Sequence, residues 1–237
     1  MLETSVRWNK AHRVTRETWI VLLFVFFFFT FHLFYLASVN SAFGTDGYYY
    51  AAQTRFFRQH GHFFSPETSP VLYLMVAVSY LFSDIVFSNK TVTALLSASC
   101  VIPAFALGKR VCGSFGGGLV GIFLIAGNSS VMLLNFEFVK NLGGLVALLY
   151  ALVPLYDILV QGRHNIGYFL LMSLGFLLAF LCHRLTDVIA FYFFAAVMLS
   201  IFRRYTFLLT GIVIFLAATG LLLSWKKGFP GLLHPSD

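Results

Sequence analysis

The sequence predicts an all-α polytopic membrane protein with about seven transmembrane helices and an external loop that carries juxtamembrane helices. Of its 237 residues, 59% are hydrophobic and only 11% are charged, whereas a soluble domain carries about 25% charged residues. The mean hydropathy is +0.85. Apolar runs close to the roughly 20 residues that a spanning helix needs recur along the chain. Residues 1–237 are therefore expected to form a single transmembrane domain.

The charges lie where a membrane protein carries them. The net charge of +7 does not indicate a nucleic-acid partner, because the basic residues sit at the ends of apolar runs, where they meet lipid headgroups. Several precede the first run, so residues 1–17 are expected to be cytoplasmic. The run itself is longer than the about 7–15 apolar residues of a signal peptide, which favours an uncleaved anchor over cleavage near "SVNSA".

One apolar segment leaves the topology open. The runs predicted to span the membrane are 18–39, 91–108, 115–134, 142–160, 166–182, 188–202 and 206–224. The shorter run 70–82 rises only about 20 Å as a helix, less than the roughly 30 Å of a bilayer core. It is either a tilted span or a helix in the membrane interface. Both topologies place nine Lys and Arg residues inside, so the positive-inside rule does not decide between them.

Polar clusters decide the topology instead. Ionisable residues at a membrane edge are costly, so they mark function by default. If 70–82 does not cross, the segments "NFEFVKN" at 135–141 and "CHRLTD" at 182–187 fall on the same face as Asp46. Only this arrangement can build one site. We therefore expect an external loop over 40–88 and an external tail over 225–237.

The external loop opens with "NSAFGTDGYYYAAQTRFFRQHGHFF". A helical pattern begins at Tyr48, and Tyr49, Ala52 and Phe56 recur at a spacing that places them on one face. This predicts an amphipathic helix lying on the membrane surface. Asp46 is interpreted as a helix cap, as a carboxylate held at the water–membrane boundary, or as both.

The layout of this loop resembles the GT-C glycosyltransferase superfamily. "DGYYYAA" resembles the first acidic motif of oligosaccharyltransferase catalytic subunits, protein O-mannosyltransferases and aminoarabinose transferases. The stretch "ALGKRVCGSFGGGLVGIFLIA" is similar to their basic turn between two membrane helices. The resemblance implies that 70–82 stays on the external side. Their second acidic motif often has two carboxylates, and here that loop offers only Glu137 beside Lys140. Members that work without a metal are therefore the nearer analogy, and a divalent cation has little support.

The resemblance implies transfer of a sugar from a polyprenyl phosphate or diphosphate carrier to an acceptor. Asp46 would be the general base, with Glu137 as the second catalytic carboxylate, and cations would receive the leaving phosphate. The candidate substrate- and phosphate-binding residues are Arg55, Arg58, Lys140, His183, Arg184 and Asp187. The alternative for the arginines and Lys140 is contact with lipid headgroups.

Two other functional classes stay open. A transporter of lipid or small anions would need ionisable residues near helix centres, and a non-catalytic subunit would keep the fold without the chemistry. The expected partners are membrane lipid, a polyprenyl-linked sugar donor, and a membrane protein or second copy that completes the acceptor side. The expected location is the plasma or inner membrane, or the endoplasmic reticulum membrane, with the site on the external or luminal side.

Overall fold

A computed structural model describes residues 2–42, 44–66, 69–163 and 165–182, and this part of the chain is built from helices and their connections. The helices are α1 (Leu2–Ala37), α2 (Gly44–His60), α3 (Pro70–Ser79), α4 (Ile85–Ser99), α5 (Val101–Cys112), α6 (Phe115–Ile125), α7 (Ser129–Glu137), α8 (Val139–Leu159) and α9 (Ile166–Cys182). The predicted all-helical class is confirmed for these residues.

Among the described residues, three helices are long and apolar enough to cross a membrane. They are Arg16–Ala37, the continuous pair α4 and α5 over Ile85–Cys112, and Val139–Leu159. The pair α6 and α7 bends by 49° and makes a fourth if it is counted as one span. Helix α9 is apolar but shorter. The predicted runs 188–202 and 206–224 lie outside the described residues. Among the described residues, three or four helices are thus candidate spans by length and composition, and seven spans are not shown.

Helix α1 runs antiparallel to the continuous pair α4 and α5, and contacts at both ends hold them together. At one end the Lys90 ammonium of α4 donates to the Val39 carbonyl just after α1. At the other end Lys109 of α5 pairs with Glu17 of α1. We call the first the Asp46 end and the second the Arg110 end, because those residues lie there.

Close packing between α5 and α6 depends on small residues. Gly113 ends α5 with a φ of 64°, a conformation that favours glycine, and Ser114 caps α6 by accepting from the Gly117 N–H. A Cβ on Gly108 would clash with the Gly117 carbonyl oxygen. The backbones of α5 and α6 are therefore in direct contact, as in close-packed membrane helices.

The segment around 70–82 stays at the Asp46 end. Val71, near the start of α3, shares a buried cluster with Val139, the first residue of α8. The carbonyl of Ser79, at the end of α3, accepts a hydrogen bond from Arg58 of α2 at 3.1 Å. Asp84 then caps α4, because its side chain accepts a hydrogen bond from the Val86 N–H at 2.8 Å. The start of α3 is therefore close to the start of α8, and the end of α3 is close to the start of α4.

Candidate functional site

Asp46 lies within the first turn of α2 and is half-buried. The Tyr50 hydroxyl, one turn later, donates to its Oδ2 atom at 3.3 Å. Tyr50 is only 2% exposed, so this hydroxyl is fixed by packing. The helix begins at Gly44, and a carboxylate in the first turn is stabilised by the helix dipole. Asp46 therefore stabilises the start of the helix and is held in one place by Tyr50.

The face of α2 that packs against the protein is polar. Tyr50, Gln53 and Thr54 are buried, whereas Ala52, on the face predicted to meet the membrane surface, is exposed. Thr54 lies against α4, where its Oγ1 donates to the Asn89 Oδ1 at 3.4 Å. Helix α2 therefore packs on polar side chains at the end of the bundle.

Gln53 ties α2 to the loop that follows it. Its Nε2 atom donates to the hydroxyls of Tyr49 at 3.0 Å and Ser65 at 2.8 Å. Its Oε1 atom accepts from the Phe64 N–H at 3.0 Å. A fully buried amide can remain inside because these partners satisfy it. The loop 61–66 is thereby folded back against the helix that carries Asp46.

A small cavity lies beside this helix, between α1, α2, α4 and α7 (called the Asn89 cavity below). Its volume is about 30 Å³. The polar side chains that line it are Tyr50, Asn89, Lys90, Thr93 and Asn135. Each of them is at least nine-tenths buried. The residue after Asp46, Gly47, also lines the cavity, so the carboxylate and the cavity are neighbours along the chain.

The structure brings the "NFEFVKN" segment to the Asp46 end, as the sequence predicts. The Lys140 ammonium lies 5.4 Å from the centre of the Tyr49 ring on α2. Asn135 reaches the cavity from α7. Glu137 is the last residue of α7, and its side chain is outside what the structure describes. Asp46, Lys140 and Asn135 thus share one end of the bundle.

Other predicted site residues have different surroundings. Arg58 donates to the Ser79 carbonyl and lies 5.3 Å from the centre of the Tyr80 ring. This position stabilises the end of α3. Arg55 is exposed. His183, Arg184 and Asp187 lie outside the described residues. Within the described ranges, no group of three or more His, Cys, Asp or Glu side chains could hold a metal ion.

A chain of polar side chains between α1, α4 and α7 was missed by sequence reasoning. The Asn135 Nδ2 atom is 3.1 Å from the His32 Nδ1 atom on α1, and Ser97 of α4 donates to the Asn135 Oδ1 atom. His32 is 2% exposed, and its Nε2 atom has no hydrogen-bond partner. The available signal was a lone histidine in an apolar run, which is costly unless it is paired or functional.

Asn89 and Lys90 were missed for a different reason. They stand at the polar edge of a predicted span that begins at 91, so they resemble ordinary membrane-boundary residues. The helix instead begins at Ile85, and both side chains are 7% exposed. Their burial comes from contacts with α1 and α2, which a single apolar pattern does not record.

Comparisons of this chain with protein-family models, with curated proteins and with solved structures found no match. The geometry at the Asp46 end and the motifs that the sequence carries there are therefore what indicates a function. That geometry consists of a carboxylate bonded to Tyr50, a neighbouring small cavity with five buried polar side chains in its wall, and two lysines on separate helices.

Proposed function

We propose that the protein is an integral membrane glycosyltransferase of the GT-C type, which moves a sugar from a polyprenyl-phosphate carrier to an acceptor at the Asp46 end. The observation that carries the proposal is the half-buried Asp46 carboxylate, held by Tyr50 at 3.3 Å beside a small cavity that has both apolar and buried polar side chains in its wall. In this proposal the Asp46 end is external or luminal. The chain has seven spans, with 188–202 and 206–224 as the last two.

The residues at this end support the chemistry that such a transfer needs. A general base must accept the proton of the acceptor hydroxyl, and Asp46 is the carboxylate fixed for that role. A cation must stabilise the charge that develops on the leaving phosphate. Lys140 of α8 is a candidate, because its ammonium lies over the ring of Tyr49, which is on the same helix as Asp46. Glu137, His183, Arg184 and Asp187 complete the proposed site on the basis of the GT-C resemblance.

The test is sugar transfer by Asp46→Asn, which keeps the shape of the side chain and removes its charge. We expect a loss of at least about 10²-fold in turnover, the scale of a lost general base. The matched control is Asp84→Asn, because Asp84 is an exposed carboxylate that caps α4 and Asn caps helices equally well. Near-normal turnover in folded Asp46→Asn protein would leave Asp46 with a structural role alone.

A second candidate function, transport of a small ion or lipid, is favoured by one observation. His32, Asn135 and Ser97 form a buried polar chain between α1, α7 and α4. Helix α1 and the α4–α5 pair are long and apolar enough to span a membrane, and α7 is so only together with α6. Transporters place such groups within their spans. An ion flux into proteoliposomes that is lost in Asn135→Leu, together with normal turnover in Asp46→Asn, would favour transport over transfer.

A further inference from the structure

The Asn89 cavity has an unsatisfied donor in its wall. Asn89 is 7% exposed, and its Nδ2 atom has no hydrogen-bond partner. The other end of the same amide is fixed, because its Oδ1 atom accepts from Thr54 at 3.4 Å. A buried N–H without a partner is costly. A group that accepts a hydrogen bond inside the cavity would remove this cost.

The lining of the cavity includes one basic side chain. Lys90 is also 7% exposed and lines the cavity, while its ammonium donates to the Val39 carbonyl. Neither nearby carboxylate is part of the lining: Asp46 is bonded to Tyr50, and Asp84 caps α4 from an exposed position. Among the described lining residues, Lys90 therefore supplies the only formal charge. An accepting group with negative charge suits this wall better than a neutral one.

The size of the cavity restricts what can enter it. A volume of about 30 Å³ is enough for one or two water-sized groups by the usual measure. A sugar ring or a whole phosphate group is larger than this. A single halide ion, or one oxygen atom of a phosphate whose remainder stays outside, is of the right size.

We propose that the Asn89 cavity binds one small anionic group, through the Asn89 amide N–H and the charge of Lys90. The group is either a free halide ion or one oxygen of a phosphate headgroup. The headgroup form rests on the proposed function, because it would place the phosphate of the lipid carrier beside Asp46. The halide form is independent of sugar transfer.

The test measures thermal unfolding of the full chain, purified in detergent, at equal ionic strength in sodium gluconate and in sodium chloride. A third sample contains gluconate with dodecyl phosphate as a phosphate-headed lipid. We expect chloride or dodecyl phosphate to raise the unfolding midpoint by about 2–4 °C through binding to the folded state. A response to chloride identifies a free ion, and a response to dodecyl phosphate alone identifies a headgroup.

Variants show whether the response comes from this cavity. Asn89→Asp keeps the side-chain shape but adds a negative charge, and Lys90→Met removes the positive one, so both should lose the rise. Each variant is compared with itself in gluconate, which removes any change in basal stability. Ser88→Ala is the control, since Ser88 is buried on the same helix but does not line the cavity.

Two results would overturn the proposal. One is a wild-type midpoint that responds to neither chloride nor dodecyl phosphate. The other is an equal rise in Asn89→Asp and in wild type. Because this assay involves no transfer step, a chain that transfers sugar but shows no rise rejects the anion site and leaves the proposed function intact.

Discussion

The Asp157 carboxylate on α8 is fully buried, and Arg110 on α5 binds both of its oxygens. The Arg110 Nε and Nη2 atoms donate to the two oxygens at 2.9 and 3.0 Å. The same guanidinium donates to the Ala106 carbonyl at 3.1 Å. A bidentate pair of this kind fixes orientation as well as charge. This contact determines how α5 and α8 meet at the Arg110 end.

Arg110→Met should destabilise the protein by about 3–5 kcal/mol, because it leaves Asp157 buried without its partner. The matched control is Lys109→Met on the same turn. Lys109 pairs with Glu17, but its side chain is 42% exposed, so its loss should cost about 0–1 kcal/mol. Chemical unfolding of the purified variants in detergent gives both values. Equal stabilities for the two variants would contradict a structural role for the Arg110–Asp157 pair.

Helix α2 shows what the sequence can predict and what it cannot. Its existence follows from local composition and agrees with the structure, although the helix begins at Gly44 and not at Tyr48. The amphipathic pattern predicts an apolar face toward the membrane surface, but not which side chains are buried against the protein. Here Gln53 and Thr54 are buried against polar partners on the loop and on α4. Those partners are distant in sequence, so no local pattern could reveal them.

Gln53→Leu should loosen the loop 61–66 while the bundle stays folded. The change removes the donors to Tyr49 and Ser65 and leaves the Phe64 N–H without its acceptor. We expect amide hydrogen exchange at 61–65 to be faster by about 10-fold or more, since hydrogen bonds in this loop open locally. Gln59→Leu on the same helix is the control, because Gln59 is exposed. Unchanged exchange in Gln53→Leu would show that other contacts hold the loop.

The candidate site could also be predicted only in part, because some of its residues are identified only by contacts between distant helices. Grouping Asp46 with the 135–141 segment required only the direction in which each apolar run crosses, and the structure places both at one end. Tyr50, Asn89 and Lys90 were not predicted, because their significance lies in burial by other helices. In a chain with so many apolar residues, a polar side chain within a helix is therefore best assessed by what packs on it.

Contacts at both ends of the described bundle hold α1 against the α4–α5 pair and define the path of the chain. The Lys90–Val39 contact lies at the Asp46 end, and the Glu17–Lys109 contact lies at the Arg110 end. Between Lys90 and Lys109 the helical pair rises by about 28 Å at about 1.5 Å per residue. This is close to the roughly 30 Å of a bilayer core. The two contacts therefore lie at depths expected of opposite membrane surfaces.

This arrangement predicts which loops are accessible from the same side of a membrane. Gln59 is on the last turn of α2, Ser83 is between α3 and α4, and Gln161 follows α8; all three are exposed. Single cysteines at these positions would be introduced into a chain lacking Cys100, Cys112 and Cys182, and probed with an impermeant thiol reagent in sealed vesicles of known orientation. Cysteines at 59 and 83 should be labelled from one side, and a cysteine at 161 only from the other.

The comparison of positions 59 and 83 tests α3 directly, because they flank that helix. A helix of 10 residues rises about 15 Å, half of a bilayer core, and Arg58 holds its final carbonyl against α2. Labelling of 59 and 83 from opposite sides would mean that α3 crosses the membrane. Every later helix would then be inverted relative to α2, and the Asp46 end could not be a single surface. Labelling of both from the side opposite to 161 supports one site built from α2, α4, α7 and α8.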